Sequence, residues 1–334
     1  MKLHNVIAVG LAALAGVAYS QEAAAPKGLP AVVQVSEKNP KMGKMMITGS
    51  IGSGKDIAFK YFDASQEAEV SRKVSGVAVF FLLTPQDLAN AETALKLGEL
   101  DSARKQLAAV KEKYTAFAGL ERNPSERAAI LEIKCAIRQL DFEGLKGVLR
   151  SVPNPDQLAP EDKGVYVAAG VLSKGTSGAS AADIEAEIKK IMSSGVGRAL
   201  NGSSYGWMQY ALATAMAAAI PAEEISGTIS EGNAAAASKA IDAYCRAGVS
   251  SHGVDMELPI DAMKRAQAML WAMPGVKDYA SKGASMDAGK WNKAPGNFRD
   301  AVALAYMLKN LYGASGETID AAEKFYFNPS APRK

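Results

Sequence analysis

The chain has 334 residues, 48% of them apolar, 22% charged and 7% aromatic, with 30 glycines and 14 prolines. This composition excludes a disordered chain, collagen and a multispan membrane protein. Lys and Arg number 38 against 35 Asp and Glu, a net charge of +3, which excludes the dense positive field of a nucleic-acid-wrapping domain. Two histidines and two cysteines offer little for a metal site or a histidine-activated nucleophile, so no cofactor, metal or catalytic residue is expected.

The chain opens on Met1-Lys2 and a polar pair, then runs apolar from Val6 to Val17 and ends at Ala18-Tyr19-Ser20 before Gln21-Glu22. That order of charged start, apolar run and small-x-small site predicts a signal peptide over residues 1–20, cleaved after Ser20. The run is too short to span a bilayer as a helix, so no stable membrane span is expected after cleavage. Export to the periplasm or outside the cell is the localisation that follows. It also permits a disulfide between Cys135 and Cys245. Both lie in helical periodicity 110 positions apart, and two buried free thiols are the expected state.

Residues 21–31 read as a linker and residues 32–83 as a small β-sheet or partly closed barrel. Five β-branched or aromatic runs carry that reading: Val32–Val35, Met45–Ile51, Ile57–Phe62, Val70–Val74 and Val77–Leu82. Met45/Ile47/Ile51 and Ile57/Phe59/Tyr61 alternate, as in strands with one buried face. Val77–Leu82, apolar on both faces, is expected to be central or covered by helices.

Residues 84–327 are punctuated as helices, with 328–334 as a tail. Thr84-Pro85-x-Asp87 and Asn123-Pro124-x-Glu126 place an N-cap, a proline and an acid at helix starts, and Pro160, Pro221 and Pro259 begin segments similarly. Stripes recur at helical spacing in Leu100/Ala103/Leu107/Val110/Tyr114, Ile130/Ile133/Ile137/Leu140 and Ile184/Ile188/Ile191. Further helices are predicted over 204–220, 232–247, 259–273, 297–312 and 316–326, about ten in all.

Within this region Gly98-Glu99-Leu100-Asp101-Ser102-Ala103-Arg104-Lys105-Gln106-Leu107, continuing to Tyr114, resembles the second helix of a tetratricopeptide repeat. A weaker echo runs from Leu140 to Leu149, with Gln139 in the glycine's place and Gly144 in that of Ala103. The resemblance is carried best by residues 85–114. It implies an α-solenoid of antiparallel helix pairs with a concave face for a peptide or protein. The alternative is a compact irregular α-bundle.

Three motifs imitate catalytic or nucleotide sites. Gly49-Ser50-Ile51-Gly52-Ser53-Gly54-Lys55-Asp56 has the glycines and lysine of a phosphate loop, but Asp56 stands where a hydroxyl should hold Mg²⁺ and a strand follows, so a hairpin turn is expected. Gly202-Ser203-Ser204-Tyr205-Gly206, with His252 and Asp255 downstream, spells a nucleophile elbow without the strand that must precede it. The expected reading is a loop in which Ser203 or Ser204 caps a helix starting near Tyr205, with His252 a solvated loop residue. Gly206-Trp207-Met208-Gln209 is similar to a helix of the lytic transglycosylases. Their upstream catalytic carboxyl is missing, the nearest acid being Glu187, so a buried central helix is expected over Trp207–Ile220.

Most of the late aromatic residues fit a helical core. Trp291, in a Gly-Lys-Trp-Asn segment outside the periodicity, is the candidate for an exposed binding residue. The functional expectation is an exported, non-enzymatic protein-binding or scaffold protein of the cell envelope, its helical repeat surface taking a protein or peptide partner. A cell-wall glycan hydrolase or carbohydrate-binding protein is the alternative, and a self-associating structural subunit a third reading.

Overall fold

The computed structural model describes residues 28–34, 42–52, 56–63, 66, 68–73, 78–81, 86–117, 119–120, 123–152, 155–250, 255–282 and 288–326. The signal segment, the 328–334 tail and His252 lie outside the described residues.

Five strands form where five were expected: β1 (Leu29–Gln34), β2 (Met42–Ile51), β3 (Ala58–Asp63), β4 (Ala68–Lys73) and β5 (Ala78–Phe81). Every pairing is antiparallel and the order is β4-β3-β2-β1-β5. β1 begins at Leu29, inside the segment read as linker, because Leu29 and Pro30 still pair with Ile47 and Met46 of β2. β5 is an edge strand and not a central one. After the β1–β4 meander the chain returns to the open side of β1, the position left before it turns into the first helix.

β2 serves two partners, Met42–Ile47 facing β1 and Ile47–Ile51 facing β3, with a register shift between Ile47 and Gly49. The extra residue inverts the alternation beyond it. Ile47 is fully buried, whereas Ile51, expected on the same face, is 46% exposed.

Helices make up the rest. In chain order they are α1 (Gln86–Leu97), α2 (Leu100–Tyr114), α3 (Pro124–Arg138), α4 (Phe142–Arg150), α5 (Pro160–Thr176), α6 (Ala181–Met192), α7 (Gly202–Ala217), α8 (Ala222–Ser226), α9 (Glu231–Ser250), α10 (Glu257–Ala272), α11 (Val276–Ser281), α12 (Ala288–Lys293), α13 (Gly296–Tyr312) and α14 (Glu317–Glu323). Ten have nine residues or more and four have five to seven. Asn123 caps α3 as its sequence requires. Its side chain accepts from Ser125 N at 3.0 Å and donates to the carbonyls of Tyr114 and Phe117, tying the start of α3 to the end of α2.

The turns inside three successive helix pairs share one construction. Gly98 (φ +79°), Leu140 (φ +55°) and Gly178 (φ +91°) are left-handed residues after α1, α3 and α5. The next amide in each case bonds the carbonyl five residues back: Glu99 to Ala94, Asp141 to Ala136, Ala179 to Lys174. This is the Schellman closure. It sets the first two pairs 42 residues apart, so Leu140, and not Gln139, stands in the place of Gly98, and Leu145 in that of Ala103.

Two apolar clusters fill the interior. One joins Ala31, Ile47, Ile57 and Phe59 of the sheet region to Leu88, Leu107, Val110, Tyr114 and Leu131 of α1–α3, so the sheet rests on the first helices. The other runs from Ala129 in α3 to Ala322 in α14. α7 lies between α5 and α9, and α10 packs on both α9 and α13. α14 is held to α10 by buried Gln267, which accepts from Thr318 Oγ1 at 2.7 Å and donates to Thr318 O at 3.1 Å. Among the described residues no helix is long and apolar enough to cross a membrane. Cys135 is buried in α3 and Cys245 half-buried in α9, both as free thiols.

Candidate functional site

Exposed apolar side chains meet a depression between α6, α7 and α9, whose geometry starts with the α6 stripe. Ser180 caps α6, accepting from Asp183 N, while Ile184, Ile188 and Ile191 turn inward. Met192 falls off that stripe and is 47% exposed. The chain then takes a 3₁₀ turn over Gly195–Ala199. This turn closes against α6 because Gly197 has no Cβ; one there would sit 2.7 Å from the carbonyl oxygens of Ile191 and Met192. Asn201 caps α7, its Oδ1 accepting from Ser204 N at 2.8 Å. Gly202 allows the α7 start to abut the Ser250 carbonyl at the end of α9.

These close approaches leave a trough. A cavity of about 340 Å³ between Met192, Leu200, Asn201, Gly202 and Tyr205 meets a second of about 330 Å³ between Cys245, Arg246 and Val249, and Tyr205 and Ser250 line both. Val249 is 75% exposed. On the other side of the 3₁₀ turn a third cavity of about 540 Å³ is lined by Val167, Lys174, Glu187, Lys190, Ile191 and Val196, among others. Burial, with Asp242 and Asp300 nearby, raises the Cys245 thiol above its usual value, which makes it a poor nucleophile. Arg246 pairs with Asp242 at 2.5 Å. The trough can take apolar side chains.

A second polar feature lies along α10, where Glu257, Asp261 and Arg265 share one helical row. Arg138 at the end of α3 meets Glu257 through Nε (3.0 and 3.1 Å to the two carboxylate oxygens) and Nη2 (2.7 Å), lies 3.6 Å from Asp255 and donates to the Leu95 carbonyl. Its side chain is 12% exposed. Burial raises the Asp255 carboxyl above the ordinary range against the pull of Arg138; Glu257, despite burial, is held low by its bonds to Arg138. Further along, Tyr210 of α7 donates to Asp261 at 2.5 Å, Arg265 pairs with Asp261 at 2.7 Å and lies over the Tyr210 ring, and Tyr210 meets Tyr244 of α9 edge-on. These groups satisfy one another and join α1, α3, α7, α9 and α10.

Of the residues singled out from sequence, Trp291 lies on α12 and not in a loop, half-buried against the large core. Gly52 (φ +85°) turns the β2–β3 hairpin, as expected of the phosphate-loop lookalike; residues 53–55 lie outside the described residues. Ser203 and Ser204 occupy the first turn of α7, which starts three residues before Tyr205, so the cap is Asn201 and not a serine. No strand precedes them, and Asp255 is engaged by Arg138. Gln209 is buried in α7, and both carboxylate oxygens of Glu187 accept from Lys174 Nζ at 2.7 Å. Among the described residues no group of three or more His, Cys, Asp or Glu is placed to hold a metal.

Sequence reasoning missed both the trough and the α10 row. Met192 and Val249 carried a signal, since each is an apolar residue outside its helix's buried stripe. The Glu257/Asp261/Arg265 spacing was visible too, but not that Arg138, 119 residues away, would face it. Comparison of the chain with family models, curated proteins and solved structures finds no match.

Proposed function

We propose that this chain is an exported, non-enzymatic binding or scaffold protein of the cell envelope, which uses its helical surface for a protein or peptide partner. The observation that carries the reading is the trough between α6, α7 and α9, where Met192 and Val249 stand exposed around half-buried Leu200 and Tyr205. Exposed apolar surface grouped in a depression marks interaction sites more often than scattered single residues do. Two of the polar groups that imitate catalytic residues are occupied, Glu187 by Lys174 and Asp255 by Arg138, while the Ser204 hydroxyl is buried in the first turn of α7 without a hydrogen-bond partner.

The architecture proposed is a tetratricopeptide-like array of antiparallel helix pairs, supported by the three Schellman turns and by successive packing of α1 through α7. The array is curled, since Arg138 joins α3 to α10 across six intervening helices, a contact that an extended solenoid with neighbour contacts only would not make.

Affinity capture with the full chain from an envelope extract, beside zymography on peptidoglycan, tests the reading. A protein retained on the column with no clearing in the gel is expected. Clearing that Glu187→Gln abolishes would establish the glycan hydrolase instead.

A further inference from the structure

We propose that Asn201-Gly202, at the entrance to α7, is a deamidation site, at which the Gly202 backbone nitrogen displaces ammonia from the Asn201 side chain. The first observation is in the sequence. Asn201 is the only asparagine of the chain followed by glycine; the others precede Pro, Ala, Val, Leu, Phe or Lys. With no Cβ on Gly202, the attacking nitrogen can approach the side-chain carbonyl carbon unhindered.

The second is the backbone. Asn201 is exposed and extended (φ −92°, ψ 172°), between the 3₁₀ turn over Gly195–Ala199 and α7 and part of neither. Gly202 is the first residue of α7, so its amide nitrogen lies outside the helical ladder, unlike that of Leu311 after Asn310 in α13. Closing the five-membered ring turns the Asn201 ψ angle and draws its carbonyl from Tyr205 N, a bond of the terminal turn, where helices fray. The third is the cap. Asn201 Oδ1 accepts from Ser204 N at 2.8 Å, so the charge that develops on this oxygen during attack faces a backbone donor and the positive end of α7.

In the reaction the Gly202 nitrogen, deprotonated by hydroxide, bonds to Asn201 Cγ. The Cγ–Nδ2 bond breaks, and ammonia leaves with a proton from water, which restores the hydroxide. Water then opens the succinimide at either carbonyl, to aspartate or to isoaspartate, whose main chain runs through the former side chain. One water enters and one ammonia leaves, so the mass rises by about 1 Da and the chain gains a negative charge. Asn201 and Gly202 line their cavity with Met192, Gly197, Leu200, Tyr205 and Ser250, none of them charged. The reaction therefore puts a carboxylate into a depression lined without one. Aspartate keeps the cap, whereas isoaspartate inserts a methylene before the Gly202 amide and moves the acceptor away from Ser204 N.

Ageing the full chain at mildly alkaline pH beside an unstructured Asn-Gly reference peptide, followed by peptide mass mapping, tests this. The expected result is a mass gain at position 201 that grows with pH, with conversion at Asn233 and Asn310 slower by about tenfold or more. Product formed in heavy-oxygen water should carry one heavy oxygen. Asn201→Ser keeps a capping oxygen, so circular dichroism should be unchanged while the mass gain disappears. Hydrogen exchange at Ser204 should speed in the isoaspartate fraction and not in Asn201→Asp.

No gain at position 201 while the reference peptide converts, or equal gains at Asn233 and Asn310, overturns the proposal. Unchanged Ser204 exchange in the isoaspartate fraction would overturn the loss of the cap.

Discussion

Asp141 shows how one side chain can decide a local structure. It caps α4 by accepting from Gly144 N at 2.8 Å and pairs with Arg104 of α2 at 3.1 Å. Asp141→Ala should cost about 1 kcal/mol in urea unfolding. Asp141→Asn keeps a capping oxygen but loses the charge, and should cost about 0.5 kcal/mol, since the pair is partly exposed. The Gly144 bond, then Arg104, hold the Asp141 carboxyl below its ordinary value. A lowered folded value means stability that is present above the unfolded value of about 3.9 and lost as pH falls through the folded one. The gap between wild type and Asp141→Asn should therefore be full near neutral pH and close as the pH falls through the lowered folded value. Gly98 is a second such position. At φ +79° an added Cβ is strained, and Gly98→Ala should cost about 1–2 kcal/mol.

At the scale of elements, α5 and α7 approach closely because Gly175 faces Ala211, where an added Cβ would lie 2.7 Å from the alanine's own. Gly175→Val should destabilise by about 1–3 kcal/mol through overpacking. Gly170, one helix face away with open space around it, provides the contrast. Gly170→Ala should stabilise by about 0.5–1 kcal/mol through helix propensity. Thermal unfolding of the two variants separates packing from backbone effects. The helices were readable from sequence because caps and stripes are local: Asn123-Pro124, Ile184/Ile188/Ile191 and Gly98 all act within a turn or two. The fate of Ile51 was not, because a bulge between Ile47 and Gly49 depends on β2 changing partners from β1 to β3. The edge position of β5 was not legible for a similar reason, since an apolar run does not reveal which strand it will pair with.

For the whole molecule, Arg138 is the long-range tie. It holds the ends of α1 and α3 to the start of α10, and with a 12% exposed side chain its removal strands Glu257 and Asp255 beside each other. Arg138→Met should cost about 3 kcal/mol. Hydrogen exchange should rise together at the start of α10 and the end of α1, while β1–β4 stay protected; rise at one site alone would deny the tie. Neither this contact nor the trough could be read from the chain, because both bring together residues dozens of positions apart whose own neighbourhoods look like ordinary helix.

Photo-crosslinking in the intact envelope tests the central claim most directly, with a photoreactive residue placed at position 249 in the trough and, as control, at exposed Lys105 on α2. The expected result is an adduct of discrete mass with another protein at 249 and none at 105. Adducts at 105 alone, or none at either position, would contradict a protein-binding role for this surface.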